Sequence, residues 1–175
     1  MITKEELKES IRNIPDFPGP GIQFKDITTL LKQPELFRHV VETAAAYYTG
    51  KGITKTVAIE SRGFITGGAI AAKLGTGFVP VRKPGKLPAA VFRKSYTLEY
   101  GEDAVEIHQD ALSPEDIVLL HDDLLATGGT ALAAIDLINR FRVRKIYVNF
   151  IVELDFLNGR ARLTPPYDVF SQIHF

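Results

Sequence analysis

The chain has 175 residues, of which 45% are hydrophobic and none is cysteine, and its 21 basic and 21 acidic residues give a formal net charge of zero. That length suits one well-buried domain; neutrality argues against a protein that grips many nucleic-acid phosphates; the lack of cysteine removes disulfides, thiolate nucleophiles and zinc–cysteine sites. The opening MITKEELKES lacks a signal-peptide core and no apolar run approaches bilayer length, so a soluble cytoplasmic protein with no membrane or nucleic-acid partner is expected.

In chain order, Thr3 and Glu6 have the spacing of a capping box for a short helix ending before Pro15. Residues 16–28, DFPGPGIQFKDIT, carry two prolines and two glycines and read as a loop. Phe24 within it is either a local anchor on the core or a stacking platform for a flat ligand. Pro34 opens a second helix whose apolar stripe runs Phe37, Val40, Val41, Ala44, Ala45 and Tyr48, with Gly50 as a stop. Thr56–Glu60 reads as a strand feeding Ser61, Arg62 and Gly63 and then a small-residue helix ending near Gly75. Gly77–Lys83 is the next strand, and this β-α-β rhythm predicts a largely parallel sheet with its ligand at the carboxyl ends of the strands.

Residues 84–115 break the rhythm with two short strands, Ala90–Tyr100 and Ala104–Gln109, joined by a Gly-Glu-Asp turn. They form an excursion whose loop portions are candidates for a lid that excludes water and gates release. Ile117–His121 is a buried strand that runs into Asp122 and Asp123, then Thr127-Gly128-Gly129-Thr130, then a helix to Phe141 bearing Leu132, Ile135, Leu137 and Ile138. Lys145–Leu154 is a near-continuous apolar strand, and YDVFSQIHF closes the chain as a short extra strand near the N-terminal segment.

The stretch 117–131 holds the most chemistry. A Thr-Gly-Gly-Thr turn at a helix start offers backbone N–H groups, hydroxyls and roughly half a positive charge, which suits a phosphate. Paired carboxylates beside it suit sugar hydroxyls or magnesium. Alone, a Gly-Gly pair is usually a plain turn and adjacent aspartates a solvated surface; their combination on one strand-to-helix loop is more specific. Neither G-x-x-x-x-G-K-[ST] nor G-x-G-x-x-G is present. Charge is also segregated along the chain: seven cations and no acid from Ser61 to Leu98, then ten acids and no Lys or Arg from Glu99 to Asn139. Such a layout suits a site that holds a polyanion beside a magnesium-binding acid pair.

The string at 117–131 resembles the phosphoribosyl diphosphate motif of the type I phosphoribosyltransferases. Pro15–Thr28, Glu60–Phe64, Arg82–Pro88, Ser95–Gly101 and Val152–Leu154 with a nearby Gly-Arg pair extend the resemblance over almost the whole chain, toward the adenine-specific branch. The resemblance implies one α/β domain spanning 1–175, with a mostly parallel sheet flanked by helices, a hood at 1–33 and a flexible loop or hairpin, 84–115, over the site. It implies transfer of ribose 5-phosphate from phosphoribosyl diphosphate to adenine, giving AMP and pyrophosphate, with magnesium as cofactor and a homodimer as the assembly.

By the same resemblance, Asp122 and Asp123 hold the ribose hydroxyls, with the metal close by, and Ala126, Thr127, Gly128, Gly129 and Thr130 bind the 5-phosphate. Ser61, Arg62 and Gly63 form the pyrophosphate loop, often with a strained peptide bond, with Lys83 and Lys86 near it and Arg82 reaching across from the adjacent subunit. Phe24 stacks on the base, the backbone at Gln23 and Lys25 reads its edge, and Leu154 packs on its other face. Glu99 manages the base proton, with Tyr100 beside it on the lid. His121, standing where a hydrophobe is usual, is expected to be a satisfied core histidine. Two competing readings carry their own requirements: a 6-oxopurine acceptor, and a regulatory domain of the same fold, which would need a nucleic-acid surface that the sequence does not display.

Overall fold

In a computed structural model, which describes residues 2–17, 19–97, 102–163 and 167–175, the chain is built on a parallel sheet of five strands. Its members are β3 (Lys55–Ile59), β4 (Gly77–Val81), β7 (Ile117–Leu125), β8 (Lys145–Glu153) and β9 (Asp168–His174), in the order β4-β3-β7-β8-β9. Every pairing among them is parallel. The crossovers from β3 to β4 and from β7 to β8 leave in opposite directions, so β3 and β7 are neighbours at a topological switch point. An open parallel sheet has its binding crevice there, beyond the carboxyl ends of the strands.

Two layers cover the sheet. Helices α3 (Pro34–Tyr48) and α4 (Arg62–Leu74) pack Val41, Ala44, Tyr48 and Ile70 against Leu119 and Tyr147. Pro34 opens α3, as its fixed φ and missing N–H favour. On the other face, α5 (Gly129–Asn139) places Ala134, Ile135, Leu137 and Ile138 over Val57, Val118, Leu120 and Val148. The antiparallel hairpin of β5 (Val91–Thr97) and β6 (Glu102–His108) joins this second layer through Val105 and Ile107. The segment 84–115 is therefore partly core. A bridge between Arg82 and Glu106 stitches the hairpin to the end of β4, and the connection at 98–101, where the lid calls Glu99 and Tyr100 fall, lies outside the described residues. Glu102 and Asp103, read as turn residues, belong to β6.

Other readings need correction. Residues 16–28 are not all loop: β1 (Arg12–Pro15) pairs antiparallel with β2 (Gln23–Asp26), and a short α2 (Thr28–Leu31) follows. Gly19, Pro20 and Gly21 lie in the turn of this hairpin, whose strands flank them. Strand β7 does not stop at His121 but continues through both aspartates to Leu125, since its pairing with β8 persists at Asp122, Leu124 and Leu125. The final segment is a full sheet member, paired with β8 from Tyr147↔Asp168 to Glu153↔His174, and it also closes on the N-terminal elements through a cluster that joins Leu7, Ile11 and Leu30 to Ile173.

The N-terminal elements are tied down by polar groups. Helix α1 (Lys4–Ser10) begins with the expected capping box: the Glu6 amide donates to Thr3 Oγ1 (3.2 Å) and the Thr3 amide to Glu6 Oε2 (2.7 Å). Asp26, buried at the end of β2, accepts from Arg12 Nη2 (2.5 Å), the Thr28 amide (3.0 Å) and Thr28 Oγ1 (2.9 Å). Burial alone would raise its pKa, but these bonds outweigh it and hold the carboxyl down to about 2. A depressed folded-state pKa stabilises above the unfolded value and is lost as pH falls toward the folded one. Asp26→Asn should therefore be less stable than the parent at pH 6, with the difference closing between pH 4 and pH 2 in chemical denaturation; a gap independent of pH would overturn this account.

Candidate active site

Two helices start at the carboxyl ends of the two adjacent strands. Helix α4 begins at Arg62 immediately after β3, and the Glu60–Ser61 peptide between them is cis. Helix α5 begins at Gly129, four residues past the end of β7, with Gly128 at φ +80°. A helix start presents unpaired N–H groups and the positive end of the macrodipole, so both openings favour anions. They flank a cleft of about 440 Å³ lined by Ser61, Arg62, Lys83, Asp122, Asp123 and the run Ala126–Thr130. Glu60 and Leu124, which sequence reasoning did not single out, line it as well.

The Ala126–Thr130 loop is shaped by contact with a turn far along the chain. A Cβ on Gly128 would lie 2.8 Å from the Gly159 carbonyl oxygen, and a Cβ on Gly159 only 2.0 Å from that of Ala126. Only glycine fits at either position, and Gly128 also needs the left-handed conformation. Arg162 Nη1 donates to the Thr127 carbonyl (3.2 Å). The sequence carried a Gly-Arg pair here but no local sign that it backs the loop.

The acidic pair sits on the last turn of strand before that loop. Arg62 Nε donates to Asp123 Oδ2 at 2.6 Å, and the Asp123 amide donates to Asp122 Oδ1 at 2.9 Å. Burial in the cleft floor and the adjacent Asp123 charge push the Asp122 carboxyl up, well above the usual carboxylate range. Gly63 lies behind Arg62, where a Cβ would come within 2.7 Å of Asp122 Oδ1.

The remaining predicted cations stand on carboxylates that sequence reasoning did not assign. Glu60, just past the end of β3 with its side chain only 5% exposed, takes Arg82 Nε on one oxygen (2.6 Å) and Lys86 Nζ on the other (2.7 Å). Burial would raise the Glu60 pKa, but Lys86 and Arg82 lower it on balance. In the single chain Arg82, expected to reach an adjacent subunit, rests on Glu60 and also donates through Nη1 to the Lys86 carbonyl (3.2 Å). Lys83 bonds Asp103 and donates to Tyr96 Oη at 3.0 Å. Arg62–Asp123, Lys83–Asp103 and Lys94–Asp136 each join the basic stretch to the acidic one, so charge segregated along the chain is paired in space.

The residues assigned to a base lie beside this cleft and not in its lining. Phe24 meets Phe17 edge-on (centroids 5.1 Å apart), and the Arg62 guanidinium stands 5.0 Å over its ring, which links it to the acidic pair. Gln23 Oε1 accepts from Asn13 Nδ2 (2.6 Å), and Lys25 Nζ lies 4.1 Å over the Phe175 ring. Leu154 is 7% exposed in the N-terminal core cluster, and its amide donates to the Leu125 carbonyl (2.9 Å). Glu99 and Tyr100 lie outside the described residues. His121 is fully buried and bonded through both ring nitrogens, as expected of a core histidine.

Among the described residues, Glu153, Asp155 and His174 also bring three donor atoms within 4.8 Å of one another. Arg160 forks onto both Glu153 oxygens, however, and His174 Nδ1 lies 2.9 Å from Asp155 Oδ1, so these donor atoms already have partners. No described helix is long and apolar enough to cross a membrane.

A phosphoribosyl transferase domain model matches residues 26–173. The adenine phosphoribosyltransferase of Phocaeicola vulgatus is 58% identical over 159 residues, 91% of each chain. The crystal structure of adenine phosphoribosyltransferase from Rhodothermus marinus superposes with a TM-score of 0.93 at 50% identity and 98% coverage of both chains. That of the Giardia lamblia APRTase complexed with 9-deazaadenine gives 0.95 at 42% identity, covering 100% of this chain and 99% of its own. With a cleft built from two helix starts, an acidic pair and a Gly-Gly loop, and with relatives of this identity over almost its full length, the chain belongs to the phosphoribosyl transferase family, in its adenine phosphoribosyltransferase branch.

Proposed function

We propose that the cleft transfers ribose 5-phosphate from phosphoribosyl diphosphate to N9 of adenine, giving AMP and pyrophosphate in purine salvage. The observation that carries this reading is the convergence of the Gly128–Thr130 helix start, the Asp122–Asp123 pair and Arg62 on one cleft. The 5-phosphate takes the backbone N–H groups and hydroxyls of Ala126–Thr130, and the ribose hydroxyls take Asp122 and Asp123. The diphosphate takes Ser61, Arg62 and Gly63, with Lys83 and Lys86 adjacent and Arg82 serving the neighbouring subunit of a homodimer. Adenine stacks on Phe24, has its edge read by the backbone at Gln23 and Lys25, and packs against Leu154. The N-terminal segment 1–33 serves as a hood and the loop of 84–115 as a lid, all within one domain of a cytoplasmic protein.

As the anomeric C–O bond breaks, its electron pair leaves with pyrophosphate and positive charge develops on the sugar. Asp123, held beside Arg62, lies where a fixed negative charge stabilises that cation, and the cations of the basic stretch stabilise the leaving group. N9 then bonds to the anomeric carbon and the base loses a proton, which Glu99 manages from the lid with Tyr100 beside it. Magnesium, a hard octahedral ion, would be held mainly by substrate oxygens and water, near Asp122 and Asp123. When bound there, the ion would neutralise diphosphate charge.

Purified protein with magnesium and phosphoribosyl diphosphate should convert adenine to AMP far faster than it converts guanine or hypoxanthine to their nucleotides. Equal rates with the three bases would remove the adenine assignment. Asp123→Asn should lower kcat/KM by about 10² or more, the scale of one electrostatic group at a transition state, with little change in melting temperature; unaltered kcat/KM would take Asp123 out of the site. Glu99→Ala should lower kcat by on the order of 10², whereas a change confined to KM would reduce Glu99 to a lid contact.

A further inference from the structure

His121 is a buried polar group that the proposed chemistry does not use. Its Nε2 lies 2.7 Å from Thr66 Oγ1 on α4 and its Nδ1 2.7 Å from Asn149 Nδ2 on β8, and all three residues are fully buried. Burial pushes the imidazole down to about 3, so the ring is neutral near pH 7. The neutral ring carries one N–H, so it donates to one of these two partners and accepts from the other.

The relay is in step with the site above it. Thr66 is four residues beyond Arg62, about one turn or 6 Å along α4. His121 is two residues before Asp123 on the same face of β7, about 6.6 Å along the strand. Helix and strand are therefore joined by two rungs of matching spacing: Thr66–His121 at 2.7 Å in the core and Arg62–Asp123 at 2.6 Å in the cleft. Gly63 and Gly67 bring the helix this close. A Cβ on Gly67 would lie 2.7 Å from Ala58 Cβ and 3.0 Å from His121 Cδ2. Ile70 packs the far half of α4, but at Gly63 and Gly67 the helix has little side-chain interdigitation to resist sliding along its axis, whereas a buried hydrogen bond is lost if it slides. Asn149 anchors the ring from the opposite side, so the rung does not depend on the rotamer of a lone histidine.

We propose that the Thr66–His121–Asn149 relay is a positioning device that sets the height of α4 on β7 and so holds Arg62 where it meets Asp123 and the diphosphate. The inference rests on the assignment of Arg62 to the diphosphate. Thr66 and His121 touch no substrate; they act through Arg62.

The test is a double-mutant cycle between Thr66→Val, which removes the hydroxyl at nearly constant volume, and Arg62→Ala, read by calorimetric binding of inorganic pyrophosphate with magnesium and by steady-state kinetics. Thr66→Val should weaken pyrophosphate binding and raise KM for phosphoribosyl diphosphate about fivefold or more, with KM for adenine unchanged, and Thr66→Ser should restore both. In the Arg62→Ala background Thr66→Val should have no further effect on pyrophosphate. An additive effect in that background, wild-type affinity in Thr66→Val, no pyrophosphate binding by the parent, or equal impairment of Thr66→Ser would overturn the proposal. If Thr66→Val does not fold, Thr66→Ala enters the same cycle under the same criteria. A parent that binds pyrophosphate but makes no AMP would sink the transferase reading, while the binding cycle would still decide the relay.

Discussion

The Arg62–Asp123 ion pair is the contact on which the two halves of the cleft depend. Its guanidinium belongs to the helix that follows β3 and its carboxylate to the neighbouring strand β7, so it spans the switch point of the sheet. Opposite charges 2.6 Å apart in a partly desolvated cleft attract more strongly than in water, and each also lowers the cost of holding the other there. Glu60 does the same for Arg82 and Lys86. Before any anion arrives, the cations of the cleft are thus kept in place by carboxylates of the same fold. A diphosphate on the proposed reading would not have to gather scattered cations; it would take over partners from acids that already hold them.

Much of this was legible where the signal is local. The acid pair, the Thr-Gly-Gly-Thr turn and the apolar stripe after it occupy one continuous stretch, and the capping box at Thr3 and Glu6 is a four-residue pattern. Both were found as read. The end of β7 was misplaced because a run of acids usually marks the end of a buried strand. Here pairing with β8 continues, and Asp123 is buried on account of Arg62, a residue 61 positions away. Residues 16–28 were misread because prolines and glycines signal a turn but do not say how much of the flanking chain pairs across it.

What the sequence did not disclose is uniformly non-local. Gly159 is a glycine because the carbonyl of Ala126 passes where its Cβ would stand, and no property of residues 155–163 announces that. Glu60 was read only as the last residue of a strand, since its partners lie 22 and 26 positions on, at Arg82 and Lys86. His121 was expected to be satisfied in the core, and it is, but the identity of Thr66 and Asn149 as its partners follows from the order of strands and the crossing of α4, not from its neighbours in the chain.

These contacts give the two ends of the cleft different mechanical characters. At the Gly128 end the binding groups are backbone amides, fixed by the interlock with Gly159 and by Arg162 on the Thr127 carbonyl, so they need no side-chain ordering when an anion arrives. At the Arg62 end the binding groups are long cationic side chains, each tied to a carboxylate and each carrying rotamer freedom that must be restrained. A phosphate that stays attached through the reaction suits the rigid end. A leaving group whose charge grows during bond cleavage suits the end where cations can shift from carboxylate to phosphate oxygens. The acidic pair lies between them on β7, one residue beyond the buried Thr66–His121 rung, so on the proposed reading the point where positive charge develops is also the best-supported position of the cleft floor.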